Sequence, residues 1–270
     1  IQGEGEWGVT YTSTQICALK GSTVTISCSY KHPAREGGID VKVEKTFWFT
    51  ERRGDEYIDL KTVSEYSNRV QDHCEKNDCT LTIRNLRESD SAEYYFRFIT
   101  NKDKYYDQPG VTLSVKDLDL WVSKYSHQYL QCHSSCPSDQ TSYIWYKNRQ
   151  KLEETSAYLG FTFGSADSYS CALRGYEDFP SPSVYAPKIS VVSVSPSAEI
   201  MEGTSVTLTC SSDAKPAATY TWYKENGRYL QKNPEYFFSS IQSSDSGQYY
   251  CEAENLLGNM KSKHIYLDVK

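Results

Sequence analysis

The chain has 270 residues, enough for two or three modest domains, and its 38% hydrophobic and 14% aromatic content can fill their cores. Its 29 basic and 35 acidic residues give a net charge of −6, and no basic stripe of the kind nucleic acid requires is present. No run approaches the ~18 apolar residues of a membrane span and no signal-like segment opens the sequence, so a receptor reading makes it a processed ectodomain piece whose membrane segment is absent here.

Taken in chain order, the first patterned stretch is EWGV, with Trp7. VTISC follows and ends at Cys28; Val24, Ile26 and Cys28 alternate with polar residues, as in a strand with one buried face. Then come FWF with Trp48, CTLTIRNL opening at Cys79, and DSAEYYFRF over residues 90–98. The cycle restarts with Cys132, YIWYK with Trp145, and DSYSC ending at Cys171. It runs a third time as VTLTC to Cys210, YTWYK with Trp222, and DSGQYYC to Cys251.

Cysteine, tryptophan, then Asp-x-x-x-Tyr-x-Cys is the pattern of an immunoglobulin sandwich, in which the tryptophan packs on an inter-sheet disulfide and the tyrosine forms the tyrosine corner. The fold class expected is all-β, three tandem immunoglobulin-like β-sandwich domains. The distance from strand B to strand F separates them: it is 68 residues in the first copy (28 to 96) but 39 and 41 in the others. The longer first copy has room for the added strands of a variable-type (V-type) domain. The expected division is a V-type domain over residues 1–116, a short C2-type domain over 117–187, and a C2/I-type domain over 188–270. Pro187 and Pro196 bracket the first strand of the last domain.

Nine cysteines near strand-like segments point to an oxidising compartment. His73–Cys74 and Cys132–His133 are neighbours, but no CxxC pairs with a second one, so no metal site is expected. In the first copy Phe96 stands where the strand F cysteine belongs. Cys79 opens strand E, beside strand B in one sheet, so Cys28–Cys79 is the expected intrasheet bridge, with Phe96 filling the space between the sheets. Cys132–Cys171 and Cys210–Cys251 are expected as ordinary B–F bridges. Cys17–Cys136, near the join of the first two domains, is expected to staple them. Cys74 is left unpaired; it is free, joins two chains, or displaces Cys79 as the partner of Cys28.

A variable domain with a strand B–E disulfide, no strand F cysteine, an arginine after the gap and a bridge to the second domain resembles the siglecs, the sialic-acid-binding immunoglobulin-like lectins. DSAEYYFRF is similar to their strand F, EWGV to their strand A, and DCTLTI and CEAENLLGN to segments of the B-cell member. Sialoadhesin is also similar. Alternation along strand F turns Tyr94, Phe96 and Phe98 inward and Tyr95, Arg97 and Ile99 outward. The resemblance implies that Arg97 pairs its planar fork with the sialic acid carboxylate. It also implies that Trp7 lies against the N-acetyl methyl group, that Tyr105 or Tyr106 of strand G stacks along the glycerol chain, and that the stretch ERRGDEYIDLKTVSEYS chooses the glycosidic linkage. Ile99 departs from the acidic residue the family often carries there, and the chain has no Asn-x-Ser/Thr sequon.

An exposed strand arginine is more often solvated decoration than a ligand group, and Arg69, expected to pair with Asp90, shows the structural alternative. The function expected is a cell-surface receptor that binds sialylated glycans on glycoproteins or glycolipids. The rival is an immunoglobulin-superfamily receptor whose Tyr-rich face meets a second protein of that superfamily. No nucleophile elbow, suggestive carboxylate pair or phosphate loop appears, so no catalytic residue and no cofactor is expected.

Overall fold

The computed structural model describes residues 6–137 and 141–270, and is all-β apart from short 3-10 turns. One compact unit runs to Leu118 and includes Ser135–Pro137; the other takes Asp119–Ser134 and the remainder to Lys270.

The first unit contains β1 (Gly8–Tyr11), β2 (Gln15–Leu19), β3 (Val24–Lys31), β4 (Arg35–Glu36), β5 (Ile39–Asp40), β6 (Val43–Phe49), β7 (Arg52–Arg53) and β8 (Glu56–Tyr57). It continues with β9 (Val70–Glu75), β10 (Asp78–Ile83), β11 (Ala92–Thr100), β12 (Lys104–Tyr106) and β13 (Val111–Lys116). One sheet has the order β1-β3-β10-β9; the other has the order β12-β11-β13-β2, with β6 also paired to β11. The strand pairs β4–β5 and β7–β8 stand apart as small ribbons.

Side-chain alternation decides which face each strand buries. On β11, Tyr94, Phe96, Phe98 and Thr100 are buried while Tyr95, Arg97 and Ile99 are only half-buried. Phe96 lies edge-on to Trp48 at 5.2 Å and 5.6 Å from Tyr30, inside a cluster with Ile26, Leu81 and Phe98. Tyr94 completes the tyrosine corner, its hydroxyl donating to the Asp90 carbonyl at 2.6 Å. Asp90 in turn holds Arg69 through two hydrogen bonds of 2.7 and 2.8 Å, with the pair almost wholly buried.

The bridging of the first unit departs from expectation. Cys79 is bonded to Cys74, not to Cys28, and Cys28 is a buried free thiol. Register explains how this arises: Cys79 stands directly opposite Cys28 on one side and Cys74 on the other. Cys74 is only 5 residues away in the same hairpin, so the two sulfurs meet more readily than Cys79 and Cys28 while the chain is still unfolded. The cysteine expected to be unpaired therefore takes the bond. Cys17 of β2 is bonded to Cys136, with Cα atoms 5.4 Å apart.

In the second unit the strands are β14 (Leu120–Lys124), β15 (Tyr129–Ser134), β16 (Tyr143–Lys147), β17 (Gln150–Lys151), β18 (Tyr158–Gly160) and β19 (Tyr169–Leu173). They form two three-stranded sheets, β14-β15-β18 and β17-β16-β19. Next come β20 (Val191–Ser195), β21 (Val206–Ser211), β22 (Thr219–Lys224), β23 (Arg228–Gln231), β24 (Glu235–Phe238), β25 (Gly247–Asn255), β26 (Gly258–Lys261) and β27 (Ile265–Leu267). These build the sheets β20-β21-β24 and β23-β22-β25-β26, with β27 also on β25.

Each pair of sheets in the second unit has its own disulfide, Cys132–Cys171 or Cys210–Cys251, and a fully buried tryptophan, Trp145 or Trp222. Segments expected in separate domains share this unit because hydrogen bonds join them. The Tyr185 amide donates to the Lys215 carbonyl at 2.7 Å, the Gly164 amide to Leu257 at 2.8 Å, and the Asn255 side chain to Tyr185 at 2.8 Å.

Candidate functional site on the outer face of the first unit

Arg97 lies in the middle of β11, opposite Phe47 of β6 and Tyr106 of β12. Cross-strand partners share a face, so these three side chains leave the sheet on the side away from the core. Phe49, Tyr95 and Tyr57 join them there: Phe49 packs 5.0 Å from Tyr57, 5.1 Å from Tyr95 and 5.3 Å from Tyr106. The result is an arginine set in a bed of aromatic rings.

Tyr57 is the part of this bed that sequence reasoning missed. The β7–β8 ribbon pairs Arg52 with Tyr57 and Arg53 with Glu56, and Gly54 supplies the positive φ (62°) that the two-residue loop needs. The ribbon brings Tyr57 onto the Arg97 guanidinium, whose central carbon is 3.8 Å from the ring centroid. A second guanidinium, that of Arg52, stands 5.5 Å from the same ring, and its Nη1 donates to the Tyr57 hydroxyl at 3.4 Å. The signal was present in RRGDEY, a turn dipeptide flanked by arginine and tyrosine, but only packing shows where the ribbon folds.

These contacts leave their mark on the phenols. A hydrogen bond with Tyr106, then the Arg52 hydrogen bond and the charges of Arg52 and Arg97, hold the Tyr57 hydroxyl below the usual tyrosine range against the opposing effect of burial. Tyr106 moves up, chiefly because of its bond to Tyr57. Burial, with Glu93 adding, pushes Tyr95 up to about 12.

Arg97 itself is spared structural duty. Among the described residues it forms no ion pair, and its buried Nε has no hydrogen-bond partner. Arg69 shares the unpartnered buried Nε but differs at the fork, with Nη1 and Nη2 both spent on Asp90 and on the backbone carbonyls of Glu65, Arg84 and Asn85. A half-buried guanidinium that packs on an aromatic ring and forms no ion pair among the described residues can take a planar anion in two parallel hydrogen bonds.

The four residues singled out in the sequence fall into two groups. Register selects Tyr106 as the neighbour of Arg97; Tyr105 is opposite Phe98 and turns the other way. Trp7, half-buried, belongs with Tyr105: its ring is 5.9 Å from Phe98, 6.0 Å from His32 and 6.3 Å from Tyr105. The two groups therefore leave opposite faces of β11 and β12. They share the edge of the sheet, because β12 is its last strand.

Residues 11–116 match the family described as immunoglobulin V-set domain, and residues 186–269 match the family described as immunoglobulin domain. The chain is 30% identical to the mouse B-cell receptor CD22 over 153 residues, covering 52% of this chain and 17% of that protein. It is 22% identical to human sialic acid-binding Ig-like lectin 11 over 92% of this chain and 44% of that protein. Human vascular cell adhesion protein 1 is 40% identical over 90 residues, covering 32% of this chain and 12% of that protein. The chain thus spans less than half the length of each of these relatives. With variable-type strand pairing in its first unit and siglecs among its relatives, the chain is a siglec-like member of the immunoglobulin superfamily.

Proposed function

We propose that the chain is the extracellular portion of a cell-surface receptor that binds sialylated glycans through the first unit, with Arg97 pairing the sialic acid carboxylate. The observation that carries this reading is the uncommitted guanidinium of Arg97, stacked on Tyr57 in the middle of an aromatic face. The carboxylate approaches the outer face, and Tyr106 and Tyr57 offer rings to the sugar's apolar patches. The edge of β12 offers backbone groups to its polar ones. A glycan laid along that edge reaches Trp7 on the far side, where the N-acetyl methyl group would meet the indole.

One charge-assisted pairing contributes about 1.5–3 kcal/mol, and a partly solvated site loses much of its Coulomb gain. Single sites therefore bind weakly, and useful avidity comes from many receptors meeting many glycans. The test is binding of the multimerised chain to a panel of glycoproteins before and after sialidase treatment. Loss of binding after treatment supports the lectin. Unchanged binding favours a protein partner seated on Tyr57, Tyr95 and Tyr106, an aromatic and arginine-rich face of the kind protein interfaces use.

A further inference from the structure

The β7–β8 ribbon turns through the tripeptide Arg53-Gly54-Asp55, which the packing of Tyr57 on Arg97 leaves unused. Cross-strand partners share a face, so Arg52 and Tyr57 lie together on the side that meets Arg97, while Arg53 and Glu56 point the other way, into solvent. Arg53, Gly54 and Asp55 are all exposed, and the Asp55 side chain is fully open, at 108%. Gly54 is the first central residue of the two-residue loop, and its φ of 62° is the positive value that a type II′ turn asks of that position. Arg53 and Asp55 therefore flank a glycine at the tip of a hairpin, with both charged ends in water.

The tip is braced from below. Arg52 Nε donates to the Gly54 carbonyl at 2.7 Å, and its Nη1 to the Tyr57 hydroxyl at 3.4 Å. At the base of the ribbon the Ile58 amide donates to the Glu51 carbonyl at 3.2 Å. Arg52 is thus spent on shaping the turn, whereas Arg53 forms no ion pair among the described residues. Asp55 meets only Arg52 Nη2, at 3.8 Å, a long and solvated contact that a stronger partner displaces readily. A loop already held in one shape loses less freedom on capture.

An open carboxylate is a ligand for a hard divalent cation, and a guanidinium two residues away offers a fork to a facing carboxylate. We propose that Arg53-Gly54-Asp55 is a second binding site, read by an adhesion receptor of the integrin type. Such a receptor holds a divalent cation whose coordination the Asp55 carboxylate completes, and acidic side chains that take the Arg53 guanidinium. Nothing of the chain's own lies within 4 Å of where a Gly54 side chain would stand, so that space is open to the partner's surface. The site is separate from the glycan reading: it uses neither the Arg97 guanidinium nor a sugar, and it requires a cation.

The probe is the purified ectodomain of an integrin that recognises Arg-Gly-Asp, treated with sialidase so that its own glycans offer Arg97 no sialic acid. It is passed over the immobilised intact chain in buffer containing manganese. The expected result is saturable binding that EDTA abolishes and that a free Arg-Gly-Asp peptide, but not an Arg-Gly-Glu peptide, competes away. Asp55→Glu keeps the charge but moves the carboxylate by one methylene, and is expected to weaken binding by roughly tenfold or more. Arg53→Ala is expected to do the same. Both positions are exposed, so each variant keeps the native urea midpoint, which excludes unfolding as the cause. The proposal is overturned if the sialidase-treated probe does not bind, if binding survives EDTA, or if Asp55→Glu binds as tightly as the native chain. Capture of the untreated probe alone overturns it too, and supports the glycan reading instead.

Discussion

Replacing Arg97 with alanine tests the proposed binding role apart from folding, because among the described residues this arginine forms no ion pair and its one charged-group contact is with the Tyr57 ring. If Arg97 pairs the sialic acid carboxylate as proposed, the variant loses a charge-assisted pairing of about 1.5–3 kcal/mol, which is a factor of roughly 10–150 in Kd. Arg97→Lys keeps the charge but not the fork, so it retains part of the affinity. On the stability side two effects oppose each other. The stack on Tyr57, at 3.8 Å, contributes about 0.5–1 kcal/mol. The buried Nε without a partner is relieved on truncation, and such orphan groups cost about 1–3 kcal/mol. The net change in unfolding free energy is then near zero or slightly favourable. Urea unfolding and binding to sialylated surfaces, run on the same preparation with a sialidase-treated control, measure both quantities. Sialidase-sensitive binding of native strength in the alanine variant refutes the role of Arg97. A stability loss of more than about 2 kcal/mol alongside lost binding makes Arg97 structural and removes the argument from its freedom.

The other arginine of the pair behaves in the opposite way. Arg69→Ala strands the Asp90 carboxylate, which is 2% exposed, and breaking such a buried pair costs about 3–5 kcal/mol; a loss under about 1 kcal/mol in urea would show that the pair is not holding the corner. Alkaline pH tests the buried phenols: burial raises Tyr11, Tyr94 and Tyr95, the last to about 12, above the ordinary value near 10. Raised folded values mean that this stability is intact below about pH 10 and is lost as pH climbs through about 12, so the urea midpoint should fall over that window and a flat profile would contradict it. Tyr57, held low by Tyr106 and the two arginines, should ionise first, and the earliest phenolate absorbance should be missing in Tyr57→Phe.

The parts of this molecule legible in sequence are those written locally. Alternation in DSAEYYFRF was enough to turn Arg97 outward and Phe96 inward, because a strand has no other way to place successive side chains. What was not legible depends on register between distant strands. Tyr105 and Tyr106 are equivalent in sequence, and only pairing with β11 makes Tyr106 the neighbour of Arg97. The partner of Cys79 was misjudged for the same reason. Topology correctly set Cys28 beside it, but the return of β9 set Cys74 on its other side, five residues away in the chain. Tyr57 was hidden because a two-strand ribbon carries no mark of the surface onto which it folds.

The absence of a strand F cysteine can be weighed the same way. Closing the 68-residue span from Cys28 to position 96 would stabilise the unit by about 4 kcal/mol on the chain-entropy account. Phe96 offers about 1.5–3 kcal/mol from burial, and edge or stacked contacts with Trp48 and Tyr30 add about 0.5–1.5 kcal/mol each. The two solutions come out nearly equal, so an aromatic core substitutes for the bridge at little loss. Phe96→Cys should therefore bond to Cys28, which is already buried and free, and unfold within about 2 kcal/mol of the native chain. Phe96→Ser, with the cavity but no bridge, should lose about 3–5 kcal/mol. Peptide mapping and urea unfolding of the two variants decide the matter. If Cys28 in folded Phe96→Cys still takes alkylating reagent once the chain is denatured, its thiol does not face strand F and the equivalence of Phe96 with a half-cystine fails.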